Sequence, residues 1–253
     1  MILDKFSLKG KVAVVTGANT GLGQGICWAF AEAGAKIVGV GRSDMTETGD
    51  YIRSLGGEFF EIKADLLSSD CVLPIIDGAI AHYGRIDILV NNAGIIRRDD
   101  LENYSVKDWD DVMNTNIRTL FFLSQEAGRR MIAQGEGGKI INIASMLSYQ
   151  GGIRVPAYTA SKSAVLGLTR EMANEWAKYN INVNAIAPGY MVTNNTAALR
   201  ADEKRSAEIL GRIPAGKWGS PEDIGGAAVF LASEAANYIH GFTIAVDGGW
   251  LAR

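Results

Sequence analysis

The chain has 253 residues, with 25 basic and 28 acidic side chains for a net charge of −3. Its scattered basic residues leave no electrostatic footprint for nucleic acid, and no run approaches the roughly eighteen apolar residues of a membrane span. With 47% hydrophobic residues it is long enough to bury a core that needs no metal or disulfide.

Cys27 and Cys71 have no metal-ligand spacing. The opening MILDKFSLKGK lacks the apolar centre of a secretory signal. The expectation is a cytoplasmic protein with two free thiols, no metal and no membrane or nucleic-acid partner.

Val12–Thr16 is a β-branched run leading into a glycine-rich turn and a helical stretch, Leu22–Ala33, closed by Gly34. Ile37–Val40 reads as strand, Tyr51–Leu55 as the end of a helix, Phe59–Lys63 as strand, Val72–Tyr83 as helix and Ile86–Val90 as strand. A long helix is predicted from Val106 to about Ala133, with Ser105 and Asp108 as its capping pair. Lys139–Ala144 (strand), Pro156–Tyr179 (helix) and Ile181–Ala187 (strand) follow. Ser220 is the expected N-cap of a helix over Pro221–Ser233, and Phe242–Val246 is the last strand.

Seven strands alternating with helices predict an α/β fold: a doubly wound, seven-stranded parallel sheet of Rossmann type, helices on both faces. With no linker or composition break, residues 1–253 read as one domain. One connection is long. The roughly thirty residues between Gly189 and Ser220 include a predicted helix, Asn195–Leu210, and a segment this size suits a substrate lid at about 190–219.

Open parallel sheets bind ligands beyond the carboxyl ends of their strands, at the switch in strand order. Thr16-Gly17-Ala18-Asn19-Thr20-Gly21-Leu22-Gly23 falls there. Its glycines let the backbone approach a pyrophosphate, and the following helix terminus offers free N–H groups to an anion. The spacing differs from the common GxGxxG, so the turn alone does not decide. After the second strand, Gly41-Arg42 replaces the acidic residue that would hold the adenosine ribose of NAD. Arg42 suits a 2′-phosphate, which favours NADP, or is a solvated surface residue.

Tyr158 and Lys162 lie four apart in a helical pattern, on one face. A tyrosine of usual pKa about 10 is a poor base at neutral pH, and lowering it by about three units takes roughly 4 kcal/mol. A nearby ammonium together with the positive charge of an oxidised nicotinamide is expected to supply that. Ser145, after a strand, is placed to hydrogen-bond a reacting oxygen.

The order and spacing of Thr16-Gly17-x-x-x-Gly21-x-Gly23, Asn91-Asn92-Ala93-Gly94, Ser145, Tyr158-x-x-x-Lys162 and Pro188-Gly189 resemble the short-chain dehydrogenase/reductase family, from Leu8 to the end. The resemblance implies an NAD(P)-dependent oxidoreductase with Asn116, Ser145, Tyr158 and Lys162 as catalytic tetrad, the Asn116 side chain holding a relay water. It implies cofactor contacts from Gly17, Asn19, Thr20, Gly21, Leu22, Gly23, Arg42, Asp65, Leu66, Asn91, Ala93, Gly94, Tyr158, Lys162, Pro188, Gly189, Met191 and Thr193.

Arg97, Arg98 and Arg154 suggest a carboxylate on the substrate, and Arg98, Met146, Gln150, Arg154, Tyr190, Asn194 and Asn195 are the candidate substrate contacts. Longer stretches, such as Ala144–Pro156 and Ala187–Thr196, are similar to the sugar-acid dehydrogenases of the family. That similarity implies chemistry at C5 of a 3-deoxy-2-ketohexonate in uronate breakdown, with NAD, against the indication from Arg42. A 3-oxoacyl-carrier-protein reductase and a gluconate 5-dehydrogenase are alternatives, and a non-catalytic cofactor-binding regulator is a third. The family resemblance also implies a homotetramer, its two long helices in one interface and its last strand in another.

Overall fold

Period-two alternation decides which strand side chains meet which helix layer. The strands of the computed structural model are β1 (Val12–Thr16), β2 (Lys36–Gly41), β3 (Phe59–Lys63), β4 (Ile88–Asn91), β5 (Gly138–Ile143), β6 (Ile181–Pro188) and β7 (Thr243–Val246). The helices are α1 (Gly21–Glu32), α2 (Thr46–Ser54), α3 (Val72–Tyr83), α4 (Val106–Met113), α5 (Leu120–Gln134), α6 (Pro156–Trp176), α7 (Ala197–Ala201), α8 (Glu203–Arg212) and α9 (Glu222–Ala232). Together they describe residues 1–253. From β1, Ala13 and Val15 join one buried layer with Ile26 and Phe30 of α1 and Ile224 and Leu231 of α9. Val12 and Val14 join the opposite layer with Ile75 and Ile76 of α3, Leu123 and Met131 of α5 and Met172 of α6. Burial on both faces explains strands that are apolar throughout.

All seven strands pair in parallel in the order β3-β2-β1-β4-β5-β6-β7. The order reverses between β1 and β4, where Ala13 stands opposite Ile37 on one side and Ile88 on the other. The two crossovers there leave in opposite directions and open a crevice at the carboxyl ends. No helix is long and apolar enough to cross a membrane.

Gly34 ends α1 at φ +97°, the left-handed conformation its missing Cβ permits. Ser105 caps α4 as expected, accepting from the Asp108 N–H at 3.0 Å.

Three predicted helices need correction. The helix expected over 106–133 is interrupted by a π-helical segment, Asn114–Thr119, between α4 and α5. The helix expected over 195–210 breaks into α7 and α8, because the Asp202 side chain accepts the Arg205 N–H at 2.9 Å and caps a new start. At the start of α9 Pro221 has helical backbone at φ −54°, as expected for a first helical position, but the Ser220 hydroxyl makes no capping bond; instead the Asp223 carboxylate accepts the Ser220 N–H at 2.8 Å.

Candidate active site

Thr16 closes the switch point. Its hydroxyl accepts the N–H groups of Asn92 and Ala93, both at 3.0 Å, and ties the end of β1 to the loop after β4. The Asn92 amide then donates to the Thr16 carbonyl at 2.8 Å. It occupies the space that Cβ atoms would take at two glycines of the turn. A Cβ on Gly17 would lie 2.8 Å from the Asn92 amide nitrogen, and one on Gly23 2.5 Å from it. The glycine turn and the Asn-Asn-Ala-Gly motif are therefore two halves of one packed joint.

Above the joint lies a cleft of about 350 Å³, lined at one end by Gly17, Asn19, Thr20, Gly21, Leu22 and Arg42, and at the other by Ser145, Tyr158, Lys162, Pro188 and Gly189. Thr20, at the α1 N-cap, makes no side-chain capping bond, so the first N–H groups of α1 remain available to an anion. Thr115 also lines the cleft, with a buried hydroxyl that has no partner. A dinucleotide fits these features: donors for a pyrophosphate at the glycine end, and a buried hydroxyl without a partner in the lining. Arg42 stands 3.8 Å from Asp65 with both side chains more than half exposed, and the Asn19 amide donates to the Ser43 hydroxyl at 3.0 Å.

At the other end, Ser145 Oγ accepts the Leu147 N–H at 3.1 Å, which leaves its hydroxyl proton free to point outward. Ser148, donating to the Lys162 carbonyl at 2.6 Å, fastens this turn to α6. Lys162 is buried, and its ammonium donates to the Ile143 carbonyl at 2.6 Å. Burial lowers its pKa to about 8. The ammonium lies 5.7 Å from the centre of the Tyr158 ring.

The protein's own groups do not by themselves lower the Tyr158 pKa. Burial raises it above the usual tyrosine value, and the Ser145 hydroxyl and the Arg98 charge offset that only in part. The physical reason is that desolvation of a phenolate outweighs one hydroxyl and a distant cation.

Asn116 sits within the π segment, and both donors of its side-chain amide are engaged. It accepts the Ile95 N–H at 2.9 Å and donates to the Ile95 carbonyl at 3.0 Å and to Ser161 at 3.1 Å. Ser161 in turn donates to the Tyr158 carbonyl at 2.8 Å. The side chain therefore fixes the loop after β4 against the Tyr158 turn, with one acceptor position of its amide oxygen left over.

Among the other expected cofactor residues, Asp65, Leu66, Ala93, Gly94, Met191 and Thr193 line the cleft. Gly23 lies beneath it, in the joint. Asn91 does not reach it: its amide is buried against Ser124 at 2.8 Å and Asn142 at 2.9 Å.

Of the expected substrate residues, only Asn194 and Asn195 line the cleft. Arg154, at φ +62°, pairs with Asp100 at 2.9 Å and Asp99 at 3.9 Å. Gln150 is half-buried and lies outside the cleft. Met146 and Tyr190 pack in a separate cluster near the C-terminus. Arg97 reaches the cleft but pairs with Asp108 at 3.4 Å. Arg98 has no carboxylate partner and donates to the Asn195 carbonyl at 3.1 Å. Thr115 and the wedging role of Asn92 are not singled out by the sequence, although both adjoin motif residues.

A family model described as enoyl-(acyl carrier protein) reductase, of the short-chain C2 group, matches residues 17–251. The chain belongs to the short-chain dehydrogenase/reductase family. Within that family it is 65% identical to a 2-dehydro-3-deoxy-D-gluconate 5-dehydrogenase of Escherichia coli, with 100% of both chains covered. It is 62% identical to the protein of the same name from Dickeya dadantii, again over 100% of both. Among solved structures it superposes with TM-score 0.95 and 39% identity, over 100% of both chains, on a gluconate 5-dehydrogenase from Burkholderia cenocepacia in complex with NADP and tartrate.

Proposed function

We propose that this short-chain dehydrogenase/reductase oxidises the C5 alcohol of 2-dehydro-3-deoxy-D-gluconate, or reduces the corresponding ketone, with a nicotinamide cofactor. The observation that carries the reading is one cleft with an anion-binding glycine turn at one end and Ser145, Tyr158 and Lys162 at the other. The whole-chain similarity to sugar-acid dehydrogenases selects the substrate among the alternatives.

Gly17, Asn19, Thr20, Gly21 and Leu22 would hold the pyrophosphate, Thr115 and Asp65 the adenosine side, and Lys162, Pro188, Gly189, Met191 and Thr193 the nicotinamide side. No carboxylate closes the end of β2, and Arg42 with Ser43 supports acceptance of a 2′-phosphate, so NADP is used as well as NAD. When bound, the nicotinamide exchanges a hydride with C5. Ser145 hydrogen-bonds the C5 oxygen with the proton that its Leu147 contact leaves free. Tyr158 Oη takes the alcohol proton in oxidation and returns it in reduction. Lys162, buried beside the ring, favours the phenolate while charged. Asn116 positions Tyr158 through Ser161.

Arg98 is the cation suited to the substrate carboxylate, because Arg97 and Arg154 are already paired and its charge is felt at Tyr158. Asn194 and Asn195 suit sugar hydroxyls. The segment from Tyr190 to Gly219 serves as the lid of a single domain. We further infer a cytoplasmic homotetramer, supported by two unpaired cysteines and by the family resemblance. A light-scattering mass equal to one chain would refute the tetramer.

The deciding experiment is the initial rate of reduced-cofactor absorbance with 2-dehydro-3-deoxy-D-gluconate, run with NAD and NADP in parallel. A strong rate with either supports the reading. No rate with either removes the substrate assignment and leaves the family standing.

A further inference from the structure

The segment between β6 and α9 is anchored unequally. Its first half, the Asn194–Thr196 turn and α7, buries no residue. It is held by the partly buried Leu199 of α7, which packs against the C-terminal cluster, and by polar contacts: the Thr193 and Thr196 cap, Arg200 donating to the Thr193 carbonyl at 3.2 Å, and Arg98 donating to that of Asn195. Its second half is locked to the C-terminus. Ile209 and Ile213 share a buried cluster with Trp250 and with Met146, the neighbour of Ser145. The Trp250 ring meets Tyr190 edge-on at 4.8 Å, and the Arg212 guanidinium lies 4.0 Å above it.

The chain is bent to deliver this indole. Gly248 and Gly249 take left-handed φ of +64° and +89°. A Cβ on Gly249 would lie 3.1 Å from Pro214, and one on Gly248 2.9 Å from Ile213. The Gly248 carbonyl accepts the Ala215 N–H at 3.0 Å. The Asp247 carboxylate accepts the N–H groups of Gly249 at 2.9 Å and Leu251 at 2.8 Å. Trp250 itself is buried, and its indole N–H has no partner. A buried donor without an acceptor is a net cost, so the indole acts through its flat apolar body.

We propose that Trp250 is a positioning residue for the substrate end of the cleft. It fixes α8, and thereby the place of the Asn194–Arg200 segment above Ser145 and Tyr158. It also backs Tyr190 and Met146 from behind. No member of its cluster lines the cleft, and none belongs to the Gly17–Leu22 turn that would hold the pyrophosphate, so its loss should fall mainly on the substrate end. The inference rests on the reading of 190–219 as a substrate lid.

Limited trypsin digestion tests it without reference to activity, because Arg200, Lys204 and Arg205 are exposed on α7 and α8. Trp250→Ala should speed cleavage at these sites by roughly tenfold or more, since losing a buried Trp frees the segment it anchors. The same variant should raise the KM for the sugar acid by roughly tenfold and leave the Kd for NADPH within about twofold. Trp250→Phe, which keeps a flat ring and drops the unpartnered N–H, should restore both. If Trp250→Ala does not fold, Trp250→Leu keeps apolar volume without the flat face and should move cleavage and KM in the same direction. Unchanged cleavage overturns the proposal, as does an equal loss of NADPH affinity in the Ala variant. Absence of turnover by the unaltered protein would instead overturn the substrate reading, with the cleavage result still deciding the role of Trp250.

Discussion

Replacing Gly23 by alanine pits a local gain against a tertiary clash. Gly23 lies in α1, where alanine is favoured over glycine by about 1 kcal/mol in a helix interior. Its Cβ, however, would fall on the Gly17 carbonyl oxygen, 2.7 Å from the Gly17 carbonyl carbon and 2.5 Å from the Asn92 amide nitrogen. Two of these atoms are backbone, so the turn itself must shift, at a cost of about 1–3 kcal/mol. Net stability should therefore fall by no more than about 2 kcal/mol. The shift moves the N–H groups that face the pyrophosphate. Losing one charge-assisted bond costs about 1.5–3 kcal/mol, or roughly 10- to 150-fold in affinity.

Gly226→Ala is the matched control. Gly226 is in α9, is exposed and has nothing within 4 Å of its Cβ position. It should raise the melting temperature by about 2–4 °C, the equivalent of about 1 kcal/mol in a chain this size. Titration of NADPH binding by fluorescence, beside thermal melts of both variants, makes the comparison. A Gly23→Ala protein that binds NADPH as tightly as the parent would refute the packed-joint account.

Three further outcomes are expected. Tyr158→Phe should abolish turnover while NADPH affinity stays within about twofold, because only the transferable proton is lost; retained activity would remove Tyr158 from its role. Because burial holds the Tyr158 pKa above its usual value, its ionised fraction rises about tenfold per pH unit through the neutral range. Oxidation should climb with pH, bending as Lys162 loses its charge near pH 8, while reduction, which uses the protonated phenol, holds level; a flat oxidation profile would contradict this. Arg98→Ala should raise the KM for the sugar acid by roughly 10- to 100-fold, the worth of a charge-assisted bond. Arg154→Ala, whose guanidinium is engaged by Asp99 and Asp100, should change it by less than about threefold, and steady-state kinetics on the pair tells them apart.

The strand and helix alternation was legible in the sequence because burial on both faces demands apolar strands, and that demand is local. The same holds for the glycine turn, the Ser145 turn and the four-residue spacing of Tyr158 and Lys162. Each is set by backbone geometry over a few residues. Boundaries at Gly34 and Ser105 were equally local, one from left-handed φ and one from a side-chain cap.

What required the tertiary structure was every case where a side chain had two chemically sensible uses. Asn91 and Asn92 are adjacent amides, yet one is buried against Asn142 and the other wedges the glycine turn, a choice set by strand register at β4. Arg98 and Arg154 are both loop arginines, and only the placement of Asp99 and Asp100 separates the one paired with carboxylates from the one that meets only the Asn195 carbonyl. The π segment at Asn116 inserts into a stretch whose apolar pattern reads as unbroken helix. The direction of the Tyr158 shift likewise depends on how much water the fold excludes. Local geometry is encoded over a few residues, whereas desolvation and pairing depend on neighbours tens of residues away, which only the closed fold brings into contact.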